Sequence, residues 1–162
     1  MNVPESQVDH NALRTNQAFI IGLLLIGFIL DWTPLVVFVG AVMLLGSLLK
    51  RPGFVPAYRA LRRLGVVEAD ILRDHPQPHR FAQTVGGVVL AGASAALLSG
   101  AASLGWILAW LVIALAALNL FGGFCVGCAI YYWFSRLGLP GFDRSPPPGT
   151  VPGRRPSTSE GS

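Results

Sequence analysis

Charged side chains are scarce in this chain: Asp, Glu, Lys and Arg make up 12% of its 162 residues, about half the share of an ordinary soluble domain. The 55 residues from Phe81 to Ser135 contain none of them, and between Arg14 and Lys50 the only one is Asp31. Uncharged apolar stretches of that length are written for a bilayer and not for a soluble core. The shortage excludes an ordinary soluble enzyme. It equally excludes a disordered chain, which is rich in charge and poor in aliphatic residues. Cysteine is rarer still, at two residues, too few for a secreted disulfide scaffold. No carboxylate or Lys lies inside an apolar stretch, which argues against an ion-coupled transporter or channel. Phosphate-binding Gly loops, Ser-His-Asp sets and paired acids are missing too, so no cofactor is expected.

What is present reads as an all-α, polytopic membrane protein with four transmembrane helices and a short cytoplasmic interfacial amphipathic helix. Residues 1–10 form an N-terminal cytoplasmic segment. The first 18 residues, with Glu5, Asp9, His10 and Arg14, do not resemble a signal peptide, so the first apolar segment is expected to be retained. The membrane domain covers 11–137, with spans at about 12–30, 32–49, 81–100 and 104–124. Asp31-Trp32-Thr33-Pro34 separates the first two, and Pro34 suits a first helical turn. The second span is short enough that a re-entrant hairpin is the alternative for this pair. The third carries Gly87, Ala91, Ala95 and Ser99, a small-residue stripe that suits a helix interface within one bundle or, in a homo-oligomer, between copies. The tail, 138–162, is rich in Pro, Gly and Ser and is expected to be disordered.

The loop 50–80 holds seven of the twelve basic residues. Within it, 57–72 reads as the amphipathic helix, with Leu61, Leu64, Ile71 and Leu72 on one face and Arg59, Arg62 and Arg63 reaching lipid phosphates. Four spans put both termini on one side, and every Lys and Arg falls on that side. The positive-inside rule makes it cytoplasmic. The net charge of +4 thus speaks for the lipid bilayer as partner and not for nucleic acid.

Chemistry is concentrated at Gly122-Gly123-Phe124-Cys125-Val126-Gly127-Cys128, at the cytoplasmic end of the fourth span. Gly122 and Gly123 can interrupt the helix so that a new one begins near Cys125. A thiol there is stabilised as thiolate by the free amides and the dipole. Cys125 would attack and Cys128, one turn on, would resolve the mixed disulfide. Inert packing of two small residues is the alternative. A third reading is metal binding with His75 and His79, although Pro76 and Pro78 argue against a regular helix between those histidines. Gln83 lies on the cysteines' side of the membrane and can donate to a thiolate. Asn119 reads as an interhelical hydrogen-bonding residue.

Three stretches resemble an uncharacterised bacterial membrane family, domain of unknown function 4395. They are Val8-Asp9 through Gln17, Pro78-His79-Arg80-Phe81-Ala82-Gln83-Thr84-Val85-Gly86 (P-x-R-F-A-Q-x-x-G), and Phe124-Cys125-Val126-Gly127-Cys128 through Tyr131 (F-C-x-G-C-x-x-Y). The resemblance covers about residues 8–137. It implies a small four-span protein of the bacterial inner membrane in which the cysteine pair belongs to the motif. It also implies company with thioredoxin-like or sulfurtransferase modules; His75 and His79 lie outside the pattern. The leading expectation is thiol-disulfide or sulfane-sulfur exchange with such a cytoplasmic partner through Cys125 and Cys128. Phe81, Gln83, Gly123 and Phe124 would line that site, with no metal. A non-catalytic structural or assembly protein with packing cysteines is the second expectation, and passage of a small neutral sulfur species the third.

Overall fold

The computed structural model describes residues 7–146 and 149–155. Among them are six helices and one two-stranded sheet. In chain order these are β1 (Gln7–Asp9), α1 (His10–Ile29), α2 (Thr33–Leu48), α3 (Val55–Arg63), β2 (Ile71–Arg73), α4 (Pro76–Leu98), α5 (Ala102–Gly122) and α6 (Val126–Arg136). α1, α4 and α5 are long and apolar enough to cross a membrane, and α2 is a shorter apolar helix. At 16 residues α2 is about 24 Å long, short of a hydrocarbon core of about 30 Å.

α1 packs on α2, α2 on α4, α4 on α5 and α5 on α1, which closes a four-helix ring; α6 lies against α4. Ile20, Leu24, Val36, Val39, Leu90, Ala93 and Ala109 meet inside it, all essentially fully buried. Glycines set the close approaches. A Cβ on Gly40 would lie 3.1 Å from that of Leu90, and one on Gly105 would lie 2.9 Å from the Ala93 carbonyl oxygen. The outer surface is the reverse of a soluble protein's: Ile29, Leu48, Leu98, Ile107 and Phe121 are all exposed. In lipid such a surface is satisfied, since the helices bond their own backbone and nothing drives the side chains inward.

Several boundaries differ from the sequence expectation. α4 begins at Pro76 rather than 81, because prolines in a first turn lack only an N–H that would be orphaned anyway. The objection that Pro76 and Pro78 forbid a helix there is therefore corrected. The amphipathic helix ends at Arg63 instead of 72. Gly65 adopts φ +70° and Val66 N–H bonds the Leu61 carbonyl at 3.1 Å, which terminates it. Ile71 and Leu72 lie in β2, paired antiparallel with β1 in the register Val8 opposite Leu72. On α4, Gly87 is buried against Leu44 of α2, whereas Ala91, Ala95 and Ser99 are exposed. The four-residue stripe therefore does not lie as a whole against a helix of the bundle. Part of the Pro/Gly/Ser-rich tail has a defined place. Cys125 N–H bonds the Gly153 carbonyl at 2.8 Å, and Arg155 N–H bonds that of Gly123 at 3.0 Å. Backbone hydrogen bonds hold this segment, which a compositional argument does not register.

Candidate thiol site

α5 stops because Gly123 takes the left-handed conformation, φ +61°, that glycine adopts without strain. Cys125 is then extended and caps α6, and its Sγ accepts the Cys128 N–H at 3.2 Å. Cys125 and Cys128 are joined as a disulfide with Cα atoms 5.2 Å apart, and both are buried. In the reduced state the same N–H and helix N-terminus favour a thiolate at Cys125. The intervening Gly127 is required by packing. A Cβ there would lie 2.5 Å from that of Ala82 and 2.8 Å from its Cα, so the glycine lets α6 press its cysteine turn against α4.

The first turn of α4 brings His79 to the pair. His79 Nδ1 lies 3.4 Å from Cys128 Sγ, while its Nε2 lies 2.8 Å from Asp74 Oδ2. His10 Nε2 stands 3.2 Å from the same oxygen, and His75 N–H donates to Asp74 Oδ1 at 2.7 Å. Burial alone would push the Asp74 carboxyl up. The His10 and His79 side chains outweigh it, with help from the His79 charge and the His75 amide, and hold Asp74 well below the usual carboxylate range. The result is a chain Cys128–His79–Asp74–His10 in which a fixed carboxylate orients the imidazole beside one sulfur of the disulfide. Burial, with Asp74 and Tyr131 nearby, pushes the Tyr132 phenol up, so a neutral hydroxyl borders the same space.

These groups open into a polar cavity of about 240 Å³. His10, Arg14, Asp74 and His79 line one side of it, and Gly123 and the returning tail the other. Arg155 closes the rim in an ion pair with Asp70. Cys125, Cys128 and His79 place three ligand atoms within 4.8 Å of one another, so the reduced pair with His79 could hold a metal ion; His10, Asp74 and His79 form a second such group.

Of the residues singled out from the sequence, Cys125, Cys128, Gly123, His79 and Asn119 meet at the cavity. Phe124 pairs across an isolated bridge with Arg154. Gln83 is buried and donates Nε2 to the Met43 carbonyl at 2.8 Å, behind the pair rather than on a sulfur. Phe81 packs in an aromatic cluster with Tyr131, Phe134 and Phe142. Arg59, Arg62 and Arg63 are exposed on α3. Sequence reasoning gave Asp74 and His10 no part in the site; it offered His79 to the cysteines only as a metal ligand alongside His75, and the structure does place His79 beside Cys128, with Asp74 behind it. Asp74-His75-Pro76 was a usable signal, since an acidic residue just before a proline-initiated helix is well placed to bond its first turn.

A ring of apolar helices with a buried cysteine pair at one end defines the class: a helical-bundle membrane protein with a C-x-x-C site. Within that class, the chain belongs to the family described as Domain of unknown function (DUF4395), which matches residues 8–136. No curated protein and no solved structure matches it.

Proposed function

We propose that this protein exchanges thiols and disulfides at Cys125 and Cys128. The observation that carries the reading is the line Cys128 Sγ, His79, Asp74, with a fixed carboxylate behind an imidazole that contacts one sulfur of a vicinal pair. In the reduced protein the Cys125 thiolate, favoured by the α6 N-terminus, attacks a sulfur of a partner disulfide, and the partner's thiolate leaves. His79 takes the Cys128 proton. The Cys128 thiolate then attacks Cys125 Sγ, which closes the intramolecular disulfide and frees the partner as a dithiol. Sulfane sulfur can be passed by the same attack.

The thiol-bearing end faces the cytoplasm in this reading, with α2 serving as a fourth, short span of a bacterial inner membrane. The support is the distribution of Lys and Arg, all toward the cysteine end. The partner is a cytoplasmic thioredoxin-like or sulfurtransferase module that meets the polar cavity.

The test is maleimide labelling of oriented vesicles across a pH series, before and after reduction. The expected result is labelling only after reduction, from the basic side, with one thiol titrating well below about 8.5. His79→Ala should leave that thiol reactive and slow ring closure about tenfold or more, on the scale of lost general-base assistance. Slow labelling without a low pKa, with Cys125→Ser/Cys128→Ser fully functional in the cell, would instead establish packing cysteines. Zinc at one equivalent in the reduced protein, protecting both thiols, would establish the metal site.

A further inference from the structure

Behind the cysteine pair, on the bundle side, lies a second cavity of about 120 Å³. Its walls are aliphatic, with Ile20, Met43, Val89, Val112 and Ala116 among them. Val85, Leu111, Leu115 and Ile130 line it and are each 39–47% exposed, so its mouth lies on the flank of the bundle between α4, α5 and α6. That flank is in the apolar band, where the surrounding medium is lipid. At its inner end the cavity meets Cys125, which borders both this space and the polar one. Gln17, Asn119 and His79 stand there too, and like Cys125 they line both spaces. Unlike Gln83 and Asn16, which bond Met43 and Phe54, the Gln17 and Asn119 amides are unpaired among the described residues.

We propose that this cavity takes the ring of a lipid-soluble quinone, which accepts the electrons of the cysteine pair. The inference rests on the thiol-exchange reading, taken in the direction in which a partner dithiol reduces the Cys125–Cys128 disulfide and leaves as a disulfide, and it names what then re-oxidises the pair. Aliphatic cavities of about 150 Å³ take up a benzene ring and stay otherwise dry, so a void of this size suits one six-membered ring. A fatty acyl chain offers no acceptor to the Gln17 and Asn119 amides, whereas a quinone carbonyl oxygen beside Cys125 can accept from them. The flank opening admits the ring from the bilayer and leaves an isoprenoid tail in it. The stoichiometry matches. The Cys125 and Cys128 S–H bonds break and one S–S bond forms. Two electrons reduce the ring, and the two protons end on its two oxygens as hydroquinone.

The experiment uses the reduced full-length protein in lipid nanodiscs, with a benzoquinone carrying a decyl tail as probe. Quinone absorbance and free thiols are followed together, and exchange with glutathione disulfide is measured in parallel. The expected result is one quinone consumed per two thiols lost. Val85→Trp, which places a large ring at the mouth, should lower the quinone rate at least tenfold relative to the glutathione rate. Val88→Trp, exposed on the same helix outside both cavities, should change neither. The Cys125→Ser/Cys128→Ser protein should still bind the oxidised probe, and Val85→Trp in that background should bind it at least tenfold more weakly. Normal glutathione exchange without quinone binding or reduction overturns the quinone site alone. Equal quinone rates in wild type and Val85→Trp overturn its location. Displacement of the probe by phospholipid at stoichiometric levels assigns the cavity to an acyl chain. Failure of both reactions in wild type overturns the thiol reading itself.

Discussion

At the end of the bundle that carries the cysteines, three acids tie the chain together. Asp9 caps α1 and accepts from Tyr58 and the Asp70 amide. Asp70 holds Arg155, and Asp74 holds His79 with His10 beside it. At the opposite end, α1 joins α2 and α4 joins α5 through turns of three residues. Asp31 there takes an indole N–H from Trp106 at 3.1 Å, and Ser99 bonds a carbonyl of its own helix. The bundle body between them relies on small residues and interlocked aliphatics. The difference follows from the solvent. Hydrocarbon rewards backbone closure and tight van der Waals packing, and it penalises unpaired polar groups. Acids and histidines therefore collect where water can be reached, and that is where an ionisable thiol pair is usable.

The largest effect should come from removing the acid that the site is built on. Asp74→Ala leaves His10 and His79 without their common carboxylate, and the destabilisation expected is about 3–5 kcal/mol, as for other broken buried pairs. Asp74→Asn should cost less and still slow ring closure, because the imidazole loses its fixed anion. The pH dependence has a definite sign. Asp74 is held below the usual range in the folded state, so its contribution is present above about pH 4 and is lost as pH falls further. Thermal unfolding in detergent at pH 7, 4 and 3 should show that acid limb in wild type and a smaller one in Asp74→Asn. An equal limb in both would mean that other carboxylates carry it.

Next in size is Gly127→Ala, about 2 kcal/mol, because the new methyl meets Ala82 backbone and not a flexible chain end. It should also separate Cys128 from His79 and slow disulfide closure. A deletion in the body gives the matching contrast. Leu90 is fully buried, yet Leu90→Ala should cost about 2 kcal/mol, the low end of the range for soluble cores. When the unfolded reference is also in lipid, the transfer term vanishes and only packing is lost. A cost near 5 kcal/mol in micelles would show that water, and not lipid, surrounds the unfolded helices.

The contrast between the two regions also explains what could be read beforehand. The apolar helices were legible because the absence of charge over Phe81 to Ser135 is a one-dimensional signal. Cys125 and Cys128 were legible because they are neighbours in sequence. The surroundings of the pair were legible only in part: His79, 49 positions from Cys128, could be offered to it as a metal ligand, whereas Asp74 and His10 carry no signal of their meeting, which comes with the β1–β2 pairing. Strands of three residues carry no usable periodicity. Pro76 and Pro78 argue against a helix only if they fall in its interior; in the first turn they start one, as Pro34 does in α2. Phe81 was assigned to the mouth of the site from adjacency in the motif, but the helical period turns it toward Tyr131 and Phe142.

Smaller effects test whether the acid network is mainly structural or also covers the site. Tyr58, on α3, has its phenol pushed up to about 12, first by burial and then by Asp9. A folded value above the free one means that its contribution is intact below about pH 10 and is lost as pH rises toward 12. Tyr58→Phe should flatten that alkaline limb and leave the acid one unchanged.

Arg155→Ala should have the least effect on stability, below about 1 kcal/mol, because the ion pair with Asp70 sits at the rim where water screens it. Its consequence is on access. The pair anchors the tail segment whose Gly153 carbonyl accepts the Cys125 N–H, and Gly153 has room only because it lacks a side chain: a Cβ would lie 2.8 Å from the Cys125 carbonyl oxygen. Releasing the anchor should raise maleimide labelling of the reduced pair several-fold with no shift in its apparent pKa. Asp70→Asn should do the same from the other side of the pair. A shift in pKa without a change in the rate at saturating pH would mean that Arg155 acts on the thiols through its charge, and that the tail segment itself does not limit access.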